Sequence, residues 1–334
     1  MSVNLRGADE VFQRGEKNPL RGEITETSKT ELSIKVGNSV RKIPANEITR
    51  VSWDGEPPQL NLHRTSEENG NLDAALAGYQ EIFNDTSVSG PRLKTDLSFL
   101  IARVAAKKAL ADASMRDQAI QALEQFRQEN SNSFRYYDAL EHLGRAYLAQ
   151  RTFDKAREVF TELQQAPWPG SKMAGQIGAA QVLLSEGQID QALAQFNAVA
   201  AAPAGTPAQQ QRRHQALLGK ANCLRQKNQF DEAVLTLEEV IQHTPPENSG
   251  VMAEAFLRKG DCLQAKGDNK AALLAYLHVD VLFFKETAQH AEALFRLASL
   301  WNAVGHPARA QDAAARLTGE YAGSEWAAKL SSGG

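Results

Sequence analysis

Cysteine is nearly missing from this chain: Cys223 and Cys262 are the only two among 334 residues. Each lies two residues after a small residue, Ala221 or Gly260, at one register of consecutive helical segments. Buried small hydrophobes suit that position. A disulfide does not, because it needs Cα atoms within about 7 Å, closer than stacked helix axes. No apolar run approaches the roughly 20 residues that cross a bilayer, so no integral membrane contact is expected. The first residues, Met1 to Arg6, are not followed by an apolar segment either. The chain as written therefore reads as cytoplasmic, or as periplasmic if a signal peptide has been trimmed. Charge of one sign is also scarce: a formal charge of -3 and a sequence pI near 6.2 argue against the clustered Lys and Arg that nucleic-acid binding requires.

The usual machinery of catalysis is missing as well. There is no phosphate-cradling Gly-x-x-x-x-Gly-Lys-Ser/Thr, no Gly-x-Gly-x-x-Gly after a strand and no Gly-x-Ser-x-Gly elbow. Seven histidines are scattered without a pair at helix spacing, which leaves no metal-ligand set. The acid pairs Glu67-Glu68 and Glu238-Glu239 lie on polar helix faces and read as solvated, since tuning a carboxylate takes burial or a close charge partner. No enzyme, no cofactor and no metal are the resulting expectations.

Helical periodicity is abundant. In Asp138 to Trp168, Leu140, Leu143 and Tyr147 form one apolar stripe, and Ala156, Val159, Phe160 and Leu163 form a second after a short polar turn. Such a hairpin cannot bury its own stripe, so it needs neighbours of its own kind. They recur, marked by Ala75, Ala119, Ala156, Ala192, Ala233, Ala272 and Ala310, every 36 to 44 residues. Four residues after most of these alanines comes a large apolar side chain such as Tyr79, Phe160 or Tyr276. Five residues before stand Gly70, Gly187, Gly267 and Gly305, where a turn ends the first helix. One run stands out, Val279 to Phe284, whose density of apolar side chains predicts core over the seam to the last repeat, an exposed docking patch being the alternative.

Residues up to about Asp54 follow a different period. Glu10–Arg14, Leu20–Glu26, Glu31–Val36 and Glu47–Trp53 alternate apolar with polar, and Val40–Ile43 adds a fifth candidate strand. The length suits a small antiparallel barrel that removes its own edges by closing. Trp53 is expected to pack the joint to the first helix across a stiff Glu56-Pro57-Pro58 hinge.

The hairpins resemble tetratricopeptide repeats, and the N-terminal segment resembles SH3-like or Sm-like barrels. The predicted fold is mainly α: a superhelix of about seven hairpins with a capping helix over 57–331, preceded by the barrel at 1–56 and followed by a disordered tail at 332–334. Glu320-Tyr321-Ala322-Gly323-Ser324-Glu325-Trp326-Ala327, with Ala291 to Ala298, is similar to repeats of bacterial envelope proteins of the Tol-Pal coordinator and outer-membrane assembly lipoprotein type. That likeness implies a cell-envelope setting.

The repeat resemblance implies a non-enzymatic adaptor or scaffold whose concave face, built from the first helices, binds a protein, a peptide or a partner's helix. An alternative is a subunit of an oligomer or larger assembly with both domains buried against other subunits. Carried onto this chain, the ninth position of each first helix gives Lys108, Arg145, Gln181, Asn222, Asp261 and Ser299. The fifth and twelfth give Glu141, Leu218, Arg225, Leu257, Phe295 and Asn302. Asn222 would suit a carboxylate clamp, but Leu218 stands where that clamp needs Lys.

Overall fold

The computed structural model describes residues 7–88 and 90–332. Of the predicted tail, Ser332 ends a helix and residues 333–334 lie outside the described residues. Five strands come first: β1 Asp9–Gln13, β2 Leu20–Thr27, β3 Glu31–Val36, β4 Ser39–Pro44 and β5 Ile48–Ser52. They form one antiparallel sheet in the order β4-β3-β2-β1-β5, bent at irregularities near Phe12/Gln13 and Ile24/Glu26.

The expected barrel does not close. β4 and β5 remain its two edges, because each pairs with a single neighbour. The sheet buries Val11, Ile24, Leu32, Ile34, Ile43 and Val51 in an apolar cluster shared with the first helices, so helices take the place of self-closure.

Fifteen helices follow among the described residues, fourteen of them as hairpins. The pairs are α1 Gln59–Glu68 with α2 Leu72–Asn84, α3 Pro91–Ala111 with α4 Arg116–Glu129, and α5 Tyr136–Ala149 with α6 Phe153–Leu163. Next come α7 Pro169–Ser185 with α8 Ile189–Ala201, and α9 Pro207–Gln226 with α10 Phe230–His243. The last are α11 Ser249–Ala265 with α12 Asn269–Leu282, and α13 Thr287–Ala303 with α14 Pro307–Glu320, capped by α15 Glu325–Ser332. Prolines open α3, α7, α9 and α14, where the missing amide hydrogen leaves no bond unmade. α9 also carries a full capping box between Thr206 and Gln209.

The recurring large side chain and a glycine on the first helix answer each other. A Cβ at Gly144 would stand 2.5 Å from the Phe160 ring, one at Gly219 2.2 Å from Phe196, and one at Gly260 2.4 Å from Tyr276. In the third and sixth pairs the ring closes on the backbone of its own hairpin, whereas Phe196 of α8 closes on α9 of the next pair. The turn glycines Gly70, Gly187, Gly267 and Gly305 are left-handed, at φ 78, 80, 85 and 84°. In the third and fifth pairs Arg151 and Asn228 hold that conformation instead, at φ 62 and 60°. Asn tolerates it better than Arg.

Sheet and helices are locked together. Trp53 is buried and its Nε1–H donates to Asp96 Oδ2 at 3.1 Å, while Arg135 Nε donates to the other oxygen at 3.0 Å. From α3, Arg92 reaches the main-chain carbonyls of Ile24 and Thr25 on β2. In α1, Arg64 pairs with Glu56 at 2.6 Å and donates to the Val51 carbonyl at 2.9 Å. The prediction that Trp53 packs the joint agrees with this geometry.

The run after Val279 departs from expectation. Val279 is fully buried, but Val281, Leu282 and Phe284 are 64, 61 and 50% exposed. α12 ends at Leu282, so the helical stripe that directs side chains inward stops midway through the run.

Candidate interaction site

First helices line the inside of the superhelix, and the curve brings its ends together. α13 packs on α3, and Lys285 Nζ donates to Asn69 Oδ1 at 2.9 Å. The enclosed space at the axis has a volume of about 640 Å³. Glu67, Lys107, His142, Arg145, Gln181, Gln215, Leu218, Asn222, Glu254 and Gln289 line it, contributed by α1, α3, α5, α7, α9, α11 and α13.

Of the side chains predicted for the concave face, Arg145, Gln181, Leu218 and Asn222 converge on this cavity. Arg225 adjoins it, donating to Asn222 Oδ1 from Nε at 3.3 Å and Nη2 at 3.1 Å. Glu141 is engaged elsewhere: Arg145 meets it at 2.6 Å, and Arg212, two first helices away on α9, holds both oxygens at 2.7 and 2.6 Å. Lys108 pairs with Asp73 near the meeting of the two ends. Asp261 accepts from Tyr276 Oη at 3.0 Å and pairs with Arg258 and Arg296. Phe295 lies against Trp326, with ring centroids 5.3 Å apart, and Asn302 is exposed near the C-terminal end of α13. Leu257 needs correction. It is fully buried with Ala253, Tyr276 and Leu294, because α11 begins at Ser249 and its fifth-position face turns into the core.

A buried ion cluster was not legible in the sequence. Glu67, read as solvated, is only 6% exposed. It accepts from Arg103 at 2.8 and 2.6 Å, from Lys107 at 2.8 Å and from Tyr79 Oη at 2.9 Å. Burial alone would push its carboxyl up, but the Arg103 and Lys107 charges outweigh that and hold it at about 2. Glu141 follows the same balance, with Arg212 and Arg145 bringing it to about 2 against burial. His142 goes the other way: burial first, then the Arg145 charge, push it down to about 3, so its imidazole is neutral near pH 7.

The charged groups around the cavity therefore largely answer one another, while amides of Gln181, Gln211, Gln215 and Asn222 line it beside apolar Ile177, Leu184 and Leu218. An amide both donates and accepts, which matches a peptide main chain. Among the described residues no group of three or more His, Cys, Asp or Glu is placed to hold a metal, and no helix is long and apolar enough to cross a membrane.

Residues 103–171 and 177–249, spanning much of α3 to α10, match the family model of the tetratricopeptide repeat. Among solved structures, a Rap protein complexed with competence and sporulation factor is 19% identical, over 80% of this chain and 76% of that one, with a TM-score of 0.48. A tetratricopeptide repeat protein from Parabacteroides merdae is 13% identical, over 78% of this chain and 91% of that one, at 0.47. PilW, a type IV pilus biogenesis factor, is 17% identical, over 71% of this chain and 97% of that one, at 0.42. No curated protein matches the chain. Over residues 103–171 and 177–249 the helical hairpins match tetratricopeptide repeats, a fold that points to protein–protein interaction.

Proposed function

We propose, from these repeats and the cavity they enclose, that the protein is a non-enzymatic adaptor or scaffold that holds an extended segment of a partner protein at the superhelix axis. The observation that carries this reading is the amide-rich, charge-balanced cavity lined by Arg145, Gln181, Leu218 and Asn222. Its 640 Å³ lies within the roughly 300 to 1,000 Å³ of ligand clefts. A cylinder of helix width, about 10 Å, would fill it in roughly 8 Å, fewer than two helical turns. An extended chain fits better than a partner helix, and a polyanion has no cationic surplus to meet.

Panning a displayed peptide library against the protein, with Arg145→Ala/Gln181→Ala as comparison, tests the reading. The double variant should bind selected peptides about tenfold more weakly, equivalent to about 1.4 kcal/mol, with its melting temperature little changed. Undiminished binding would remove the cavity from the function.

A second reading, a structural subunit of a larger assembly, draws on the outer surface. Leu235 and Leu274 occupy one register of α10 and α12 and are 66 and 59% exposed, and Val281, Leu282 and Phe284 continue the apolar exposure. Patches of this kind mark contact surfaces. The likeness of the last repeats to envelope proteins would place such an assembly in a bacterial envelope. A stable oligomer or co-purifying complex in solution favours this reading, and a monodisperse monomer favours the first.

A further inference from the structure

Among the described residues, apolar packing follows the chain and stops at its ends. One cluster gathers the sheet and helices as far as α7, a second runs from α7 to α11, and a third from α11 to α15. None contains residues from both the first and the last repeats, although these meet in space.

Beside the packing of α13 on α3, what joins them is polar and open to water. Exposed Lys285 donates to exposed Asn69, and Gly70 lies so close to the Lys285 main chain that a Cβ there would stand 3.0 Å from its carbonyl oxygen. Gly323 lies in the same way against the Asp112 carboxylate. Leu110, on the last turn of α3 beside this contact, stays 45% exposed. Solvated polar contacts contribute far less than the buried rings that hold each hairpin.

We propose that this meeting line is a gate. The ring parts between α1–α3 and α12–α13 while the repeats stay stacked, so that a segment from the middle of a partner's chain enters the axial cavity sideways. A ring closed permanently would accept only a free chain end, threaded along the axis. The gate rests on the reading of the cavity as a peptide site for its occupant, but its motion can be measured without any occupant.

Exposed Ala74 and Ala322 flank the line, Ala322 lining one small pocket that spans it and Ala74 next to the pocket's Asp73, and the two native thiols are buried. Spin labels at Ala74→Cys and Ala322→Cys should give a short and a long distance population. Lys285→Ala and, separately, Asn69→Ala should each raise the long-to-short ratio roughly two- to fivefold, the effect of losing one exposed polar contact. Both are surface changes that leave the stacked core intact. One narrow distance, unmoved by either variant, overturns the gate and leaves the peptide-site reading standing.

Locking the line with a short bis-maleimide between the same two cysteines supplies the second measurement. The probes are library segments displayed as loops between two folded domains, so that no free end is offered. Locking should abolish their uptake and spare peptides with a free end. Equal uptake of loops by locked and unlocked protein overturns sideways entry. Loss of all peptide binding in the Arg145→Ala/Gln181→Ala protein, with both distance populations kept, concerns the cavity alone.

Discussion

Glu67 carries the clearest consequence at the level of single residues. Its carboxylate sits at about 2, against an ordinary 4.5, because the Arg103 and Lys107 charges outweigh the upward push of burial. A group whose folded value is depressed contributes stability above its unfolded value and loses it as pH falls through the folded one. Here the unfolded chain binds the extra proton between about pH 5 and pH 2, so acid favours unfolding across that window. Glu141 adds to the same window. Glu67→Gln should lower stability at pH 7 by about 3 kcal/mol in urea unfolding, since it leaves Arg103 and Lys107 facing a neutral amide. It should also flatten the decline between pH 5 and 2, and an unchanged slope would show that Glu67 is not responsible for it. The sequence offered no route to this cluster. Arg103 lies 36 residues from Glu67 and Lys107 lies 40, and an acid pair on a polar helix face looks the same whether or not a neighbouring repeat covers it.

At the level of elements, the hairpins were legible because their cause is local. A 3.6-residue apolar stripe, a small residue opposite a ring and a left-handed turn residue each leave a mark within one repeat. Arg151 is the exception that makes the turn testable, since it holds at φ 62° the conformation that glycine supplies elsewhere. Arg151→Gly should stabilise the protein by up to about 1 kcal/mol, the left-handed penalty less the added chain entropy of glycine. Thermal unfolding measures it, and destabilisation would mean that the Arg151 contact over Phe153 outweighs the backbone relief. The sheet's closure and the direction of the Val279 to Phe284 run were not legible for a shared reason. Alternation specifies a strand and apolar density specifies burial, but neither says which other element supplies the cover. The first helices cover the sheet, whereas Val281 and Leu282 at the end of α12 and Phe284 just beyond it stay exposed. The predicted site residues divided likewise, because a position counted along a first helix does not say which neighbour covers it, and Leu257 packs in one cluster with Tyr276 and Leu294.

For the molecule as a whole, the subdivision of the core decides how it comes apart. Three clusters in series, the first also holding the sheet, are expected to come apart as separate units. Tryptophan reports on the two ends separately: Trp53 and Trp168 belong to the first cluster, and Trp301 and Trp326 to the third. In single-tryptophan variants Trp301 fluorescence should change at lower urea than Trp53 fluorescence. Coincident transitions would mean that the repeats unfold as one.

The joint between sheet and repeats governs how two tenants would be arranged. Arg92 grips carbonyls of β2 and Arg64 grips that of Val51, while Trp53 and Arg135 share the Asp96 carboxylate from opposite sides. The bearing of the free β4 edge relative to the cavity mouth is therefore set by these bonds and not by the Glu56-Pro57-Pro58 connection. A strand laid along that edge and a chain held in the cavity would share one fixed angle and separation, like parts clamped in a jig.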